Sequence, residues 1–356
     1  MTRSDYTFVL EIVPTAPLTH GQGSEGNTQI LMTRQVVIEV DGKWQRLEIP
    51  AVSGAAFKAT LREAAVEDQF ERIGVQEGAV SKDALRLLLK GGKNDSGGQT
   101  VPLAEARKLR DLFPALSVFG SMDAGLPLPG RIQVSDVMPW CEETVNAGLA
   151  PREIRPVHVD IEGEANECPA IATLFDGQQP IPLYLTRTEV TNYRHDMQSS
   201  PLLRMLEGPV QQAIEDRGAV VKAKRIAGEK PRATERRDAN ESMPHSAQAI
   251  APGTPLFAVI RLRGATDVEV GCLLQALARW MQTGAHLGGG ATKGHGACSV
   301  KIIAPLRHRR SGLGAADSTA IELPGVGTPG AMVNGYAAHV ADRADAAKAF
   351  LSVATR

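Results

Sequence analysis

Two stretches near opposite ends of the chain constrain the fold most, because each combines strand and helix patterns. Residues 6–13 alternate apolar side chains at a period of two, and a helical pattern follows Ser53. Near the other end, residues 255–263 again alternate, 270–281 have helical apolar spacing, and 297–303 return to a strand pattern. This order predicts an α+β fold, a ferredoxin-like antiparallel sheet with helices on one face and the other face available.

The rest of the chain is predicted to insert into or extend this sheet. Residues 19–27 indicate a polar loop, residues 35–49 a hairpin and 130–136 a short strand. The basic cluster at 307–310 fits either a polyanion contact or a solvated loop. Residues 201–214 have a short helical pattern. The predicted parts are a first sheet part over 1–185 with a helical insertion at about 74–130, a projecting insertion over 186–250, a second sheet part over 251–305, and a C-terminal tail over 306–356.

Composition excludes several classes of protein. The 356 residues are 43% apolar, which is enough for a sizeable core, yet no window approaches 18 consecutive apolar residues. We therefore infer a cytoplasmic protein without a membrane partner. The four cysteines lack C-x-x-C spacing, so they predict buried apolar residues and neither a zinc knuckle nor a disulfide framework. No pattern calls for a cofactor.

Local charge is more informative than the total. With 39 Lys and Arg against 40 Asp and Glu, the net charge of −1 gives no general support for nucleic-acid binding. Residues 217–237, however, contain eight basic residues and two glutamates. This stretch fits either a polyanion contact or an ordinary solvated segment.

The glycine-rich loop at 288–296 does not match the strict phosphate-loop patterns. The residue after Gly294 is His295, no G-x-G-x-x-G register fits, and the loop follows a helix and precedes a strand. A nucleotide-hydrolysing or Rossmann enzyme is therefore disfavoured. Lys293 in this loop fits a phosphate contact, while a tight helix-to-strand turn explains the glycines equally well.

The helix after Ser53 is open to two interpretations as well. Its free amides and positive end favour an anion, and Lys58 and Arg62 extend that field along the helix. Ordinary capping explains Ser53, and a solvated face explains both cations. His20 fits a base or phosphate contact or a solvated loop. Hydrolytic motifs are missing, since Ser24 and Ser53 lack the G-x-S-x-G context and no H-E-x-x-H occurs.

Taken in order, these motifs resemble the RAMP superfamily of CRISPR-associated proteins. The matching stretches are PLTHGQGSEGNTQILMTRQVV, IPAVSGAAFKATLRE, LFPALSVFGS, GRIQVSD, RTEV, IAPGTPLFAVIRL, EVGCLLQAL and LGGGATKGHGACSVKI. They span residues 6–303 with long unaligned stretches between them. The chain is most similar to the backbone subunit that polymerises along guide RNA in Cascade-like effector complexes. Its first loop looks most like the type IV version, and the type III backbone subunit is the alternative.

The resemblance implies a hand-shaped subunit with an RRM-like palm and a projecting thumb at 186–250. It also implies the partners: CRISPR guide RNA, a target DNA or RNA strand, further copies in a head-to-tail filament, and other effector-complex subunits. The implied RNA-binding residues are Ser53, Gly54, Lys58 and Arg62 on the helix, Gly288, Gly289, Gly290, Thr292, Lys293 and His295 in the glycine loop, and His20 and Arg131. Lys222, Lys224 and Arg225 are added from charge and position in the thumb alone.

Binding without cleavage is predicted, with no catalytic residue and no metal. Type III backbone subunits cleave target RNA with an aspartate between the first strand and the Ser-Gly helix, whereas residues 19–35 of this chain contain Glu25 and no aspartate. One alternative is a ribonuclease of the same superfamily that uses His20 or His295 as general acid or base. Another is an unrelated α+β interaction protein whose glycine loops are incidental.

Overall fold

A computed structural model gives the structure of the protein. It describes residues 3–25, 28–40, 42–91, 103–123, 126–150, 175–176, 179–180, 185–190, 216, 220, 223–224, 226–228, 245–291, 294–309, 317–320 and 330–352. The chain divides into a larger unit of residues 1–20, 32–186 and 250–356 and a smaller unit of residues 21–31 and 187–249.

Strands and helices alternate irregularly along the chain. The strands are β1 (Ser4–Pro14), β2 (Gly21–Glu25), β3 (Thr28–Leu31), β4 (Thr33–Val40), β5 (Lys43–Pro50), β6 (Ser121–Asp123), β7 (Leu126–Leu128), β8 (Ile132–Val134), β9 (Met138–Pro139), β10 (Phe175–Asp176), β11 (Gln179–Pro180), β12 (Leu185–Val190), β13 (His245–Ile250), β14 (Leu256–Ala265), β15 (Cys298–Arg309) and β16 (Asp317–Ala320). The helices are α1 (Gly54–Ile73), α2 (Lys82–Lys90), α3 (Leu103–Leu112), α4 (Pro114–Phe119), α5 (Glu142–Asn146), α6 (Asp267–Gln282), α7 (Ala331–Asp342) and α8 (Ala344–Ser352).

The larger unit is built on an antiparallel sheet with the strand order β16-β15-β1-β14-β8, and β9 also pairs with β14. Its central strands and helices follow one another in the chain as β1-α1-β8-β14-α6-β15. This is the β-α-β-β-α-β order of a ferredoxin-like unit. The predicted α+β class with an antiparallel palm and insertions is therefore confirmed.

One face of the sheet packs against α1 and α6. Tyr6, Phe8, Leu10 and Ile12 are buried along β1, as their period of two predicts. From the helices, the ring of Phe57 lies 4.9 Å from that of Trp280. Each such side chain contributes about 1.5–3 kcal/mol when it is fully buried. This shared core fixes the start of α1 relative to the sheet.

The other face of the sheet is only partly available, in contrast to the sequence-based expectation. Val9, Phe257 and Val259 pack there in a second core cluster with Ile38 of the β4–β5 hairpin and Trp140. Further along β14, the side chains of Arg261 and Arg263 are exposed. The turn sequence predicts the hairpin itself, but no local sequence pattern indicates that the hairpin packs over the sheet.

Two segments differ from their predictions. Residues 21–25 form β2, which pairs with β3, because backbone pairing there outweighs the low apolar content that predicts a loop. Residues 307–309 continue β15 as the partner of β1 and β16 and do not form a solvated loop. The tail contains α7 and α8. The predicted helix at 201–214 lies outside the described residues.

The C-terminal helices belong to the larger unit. Tyr336 of α7 is buried, and the guanidinium of Arg72 on α1 lies 5.6 Å from the centroid of its ring. At the end of α7, Arg343 Nε lies 2.7 Å from Asp111 Oδ2. The tail therefore packs on the helical layer that the sheet supports.

Three of the four cysteines lie in the described part of the chain. Cys141 and Cys272 are buried and Cys298 is partly buried, while Cys168 lies outside the described residues. Within the described part of the chain, no helix is both long enough and apolar enough to cross a membrane.

A buried carboxylate joins β8 to the helical layer. Glu269 in the first turn of α6 accepts hydrogen bonds from Arg131 Nε at 2.7 Å, from the Thr266 backbone amide at 2.7 Å, and from the Ser117 hydroxyl. Burial by itself raises the pKa of Glu269, but the bonds from Ser117, Thr266 and Arg131 outweigh it and hold the pKa below its usual range. The charged form therefore stabilises the fold.

We predict that Glu269→Gln lowers the free energy of unfolding by about 2–3 kcal/mol at neutral pH, because charge-assisted hydrogen bonds are lost. Because the folded-state pKa is depressed, this contribution is present above the unfolded-state pKa and fades as the pH falls through the folded-state value. Denaturant unfolding of both proteins between neutral and acidic pH measures the difference.

The matched control is Glu63→Gln on the exposed side of α1, which should change stability by less than about 0.5 kcal/mol. Equal stability of the two variants at neutral pH would contradict the role of Glu269.

Candidate nucleic-acid interface

The interface is built around the first turn of α1, whose amides point out of the helix end. Ser53 caps the helix by accepting a hydrogen bond from the Ala56 amide at 3.2 Å. The Gly54 amide donates to Asp136 Oδ1 at 2.7 Å. The Ala55 amide, between them, has no acceptor among the described residues. One donor of this first turn therefore remains for an external acceptor.

Gly54 is required by close packing. A Cβ added at residue 54 would lie 2.4 Å from the Val134 carbonyl oxygen and 2.7 Å from that of Ser135. Only glycine lets the helix end approach the strand so closely. The Ser-Gly pair therefore has a structural explanation in addition to the predicted RNA contact, which stays a prediction.

Asp136 places a negative charge at the helix end. Arg34 Nε lies 2.5 Å from Asp136 Oδ2, and the two side chains are 46% and 25% exposed. Burial raises the pKa of Asp136, yet the hydrogen bond from Arg34, the Gly54 amide and the nearby His20 lower it overall. An ionised carboxylate thus offsets part of the positive field of α1. Its partner Arg34 faces solvent.

His20 lies beside this ion pair. Its side chain is partly buried, and its carbonyl oxygen accepts a hydrogen bond from the Met32 amide at 2.7 Å. Burial lowers the pKa of His20, Asp136 raises it in part, and Arg34 lowers it further. The imidazole is consequently neutral at neutral pH, so it can form hydrogen bonds but adds no positive charge.

The glycine loop packs against the segment that leads into His20. The Gly289 amide donates to the Thr19 carbonyl oxygen at 2.7 Å, and the Thr19 hydroxyl donates to the Gly289 carbonyl oxygen at 2.9 Å. Gly288 has a φ of 73°, and a Cβ there would lie 2.1 Å from the Thr19 oxygen. These contacts hold the loop next to His20 and leave the Gly288 and Gly289 backbone exposed.

Together these contacts link the glycine loop, through Thr19, His20 and Asp136, to the start of α1 within the larger unit. Thr19 and Gly54 are buried, and the other residues of the group are at least partly exposed. We name this group of residues the loop–helix strip. It contains the residues Thr19, His20, Arg34, Ser53, Gly54, Asp136, Gly288, Gly289 and Gly290. The strip joins the two motifs that lie at opposite ends of the sequence. Arg34 and Asp136 were not predicted as site residues, because their contact bridges 102 positions and leaves no local sequence signal.

Lys58 extends the strip by one turn of α1. Its side chain is partly buried, and it forms no ion pair or hydrogen bond within the described part of the chain. Burial lowers the pKa of Lys58, and repulsion from Arg62 lowers it further. A partly buried cation without a carboxylate partner is a ready contact for a phosphate.

Arg62 and Arg131, the other predicted cations, are already engaged with the protein. Arg62 Nη2 donates to the carbonyl oxygens of Phe119 and Gly120 at 2.7 and 2.9 Å. Arg131 pairs with Glu269. Both side chains remain partly exposed, and their contacts with RNA stay predictions.

Of the remaining predicted site residues, the structure describes His295 and Lys224. The His295 amide donates to the Gly290 carbonyl oxygen at 3.1 Å, and its side chain is partly exposed. Lys224 lies in the smaller unit, partly buried. Thr292, Lys293, Lys222 and Arg225 lie outside the described residues. Over the residues whose positions are given, no cluster of three or more His, Cys, Asp or Glu could hold a metal ion.

Comparison with known proteins shows a likeness to solved structures. No family model matches the sequence, and no curated protein matches it. A chain of a solved structure described as "Type IV-B CRISPR Complex" is similar to this chain with 18% identity and a TM-score of 0.46, over 83% of this chain and 90% of that chain.

We predict that Gly54→Ala destabilises the protein by about 1–3 kcal/mol, because the new methyl group overlaps the β8 carbonyl groups. Gly335→Ala on α7 is the matched control. It adds the same methyl group at an exposed helical position with no atom within 4 Å, so it should stabilise the protein by up to about 1 kcal/mol. Thermal and denaturant unfolding of both variants measure the two opposite effects, and stabilisation by Gly54→Ala would refute the packing constraint.

Proposed function

We propose that this protein is a non-catalytic backbone subunit of a CRISPR effector complex that binds guide RNA and polymerises along it. The observation that carries the proposal is the loop–helix strip. The two motifs that resemble the RNA-contacting parts of RAMP backbone subunits form one surface beside Lys58. If the two glycine motifs were incidental, there would be no reason for them to lie close together in the folded protein.

The chemistry of the strip suits a sugar-phosphate backbone. The Ala55 amide, the exposed Gly288 and Gly289 backbone and the neutral His20 offer hydrogen bonds, while Lys58 supplies positive charge and Arg34 is already paired with Asp136. None of these groups selects a base. Binding is therefore independent of sequence and leaves the bases available to pair with a target strand.

The charge of the strip implies modest affinity per subunit. Asp136 cancels part of the field at the helix end, and aromatic residues make up only 4% of the sequence, which limits base stacking. Tight binding then requires many subunits on one RNA, since each bound copy raises the effective concentration of the next contact. Head-to-tail contacts that do not close produce such a filament. Other effector subunits and a target DNA or RNA strand complete the proposed set of partners.

Lys58→Gln tests the proposal directly. We expect weaker binding to oligo-uridine and oligo-adenosine RNA by the same factor, with the salt dependence of log affinity falling by about 0.7–1 because one phosphate contact is lost. Fluorescence anisotropy over a range of salt concentrations measures both quantities.

Lys348→Gln on α8 is the control, since it removes the same charge from an exposed site elsewhere. Equal affinities of the two variants would count against the strip as the RNA site.

A ribonuclease is the second candidate, favoured by one observation. A partly buried, neutral His20 beside Asp136 is a suitable general base. Incubation of the protein, a guide strand and its complement with Mg²⁺ or Mn²⁺ distinguishes the two. The proposal expects intact strands, whereas regular cutting that His20→Ala abolishes would establish the ribonuclease.

A further inference from the structure

Three arginines converge on one segment of the larger unit, between α4 and β8. Arg62 donates to the carbonyl oxygens of Phe119 and Gly120, and Arg110 Nη2 donates to the Pro129 carbonyl oxygen at 2.8 Å. Arg131 follows Pro129 by two positions, and its amide donates to the Ser117 carbonyl oxygen at 3.2 Å. We name these three side chains the arginine cluster. Arg110 carries no sequence signal for a site.

The cluster has fewer acidic partners than cations. Glu269 pairs with Arg131, whereas Arg62 and Arg110 donate only to carbonyl oxygens within the described residues. Asp111, the neighbour of Arg110 in sequence, instead binds Arg343 with Nε to Oδ2 at 2.7 Å. The surroundings of the cluster therefore leave a positive excess.

Arg110 is the least satisfied of the three. Its side chain is partly exposed, but its Nε is buried and has no hydrogen-bond acceptor among the described residues. Burial lowers the pKa of Arg110, repulsion from Arg131 lowers it further, Glu269 opposes this effect, and Arg3 adds to the repulsion. Neighbouring, partly desolvated guanidinium groups cost folding free energy, and a bound oxyanion removes that cost.

We propose that the arginine cluster is a second anion site and binds a phosphodiester group of the same RNA strand. Arg62 is eight residues beyond Gly54 on α1, which corresponds to about 12 Å at the rise of an α-helix. The cluster is thus separate from the loop–helix strip but within reach of one strand. Planar guanidinium groups suit the several oxygens of a phosphate better than lysine does. This inference rests on the proposed function.

Arg110→Gln tests the site because it removes the charge and keeps a donor for Pro129. Lys108→Gln is the matched control, since it makes the same charge change on the exposed side of the same helix. We expect Arg110→Gln to weaken oligo-uridine binding several-fold more than Lys108→Gln and to lower the salt slope by about 1. Arg110→Lys, which retains the charge, should restore the slope but only part of the affinity.

Unfolding temperatures confirm that each variant is folded before RNA is added. If Arg110→Gln and Lys108→Gln bind RNA equally while Lys58→Gln binds more weakly, the arginine cluster is refuted and the loop–helix strip stands. If the wild-type protein does not bind RNA, both proposals fail. If poly-glutamate binds the wild-type protein and only that binding is lost in Arg110→Gln, the cluster recognises an acidic protein and the RNA proposal is overturned.

Discussion

The start of α1 lies so close to β8 that no side chain larger than hydrogen fits at residue 54. This close approach puts Asp136 within hydrogen-bond distance of the Gly54 amide, and Asp136 in turn fixes Arg34. His20 lies beside that pair, with the glycine loop held next to it by Thr19. The close packing at Gly54 thus sets the position of Asp136 and Arg34, and the Thr19 contacts set that of the glycine loop.

At the start of α1, the negative charge of Asp136 offsets part of the positive field of the helix end. A helix end with only free amides would attract any anion, whereas here a carboxylate of the protein already occupies one donor. The charges that remain for a ligand lie at Lys58, further along α1, and at the arginine cluster. Such an arrangement favours the binding of an extended polyanion, which contacts several separate groups of the protein. A small anion bound at a single site is less favoured. The arrangement also makes each contact weak, which is consistent with the proposed repetition of subunits along one RNA strand.

The sequence predicts the elements of this fold better than their contacts. Period-two alternation predicts β1 and β14, and the Ser53 cap with helical apolar spacing predicts α1. In contrast, β2 depends on pairing with β3, and the cover over part of the sheet depends on the packing of Val9 with Trp140, neither of which is encoded locally. For the site, the motifs at both ends were recognisable, but Asp136 and Arg34 were not, because the ion pair connects distant segments. Family resemblance likewise supplied Arg62, and only the structure shows its carbonyl partners.

Hydrogen exchange measured by mass spectrometry, with and without oligo-uridine RNA, tests the central claim most directly. That claim is that the start of α1 and the glycine loop form one RNA-binding surface. Peptides covering residues 17–20, 53–58 and 287–296 should become protected together and over the same range of RNA concentration. Protection of only one of these regions, or of none while RNA remains bound, would contradict a single shared surface.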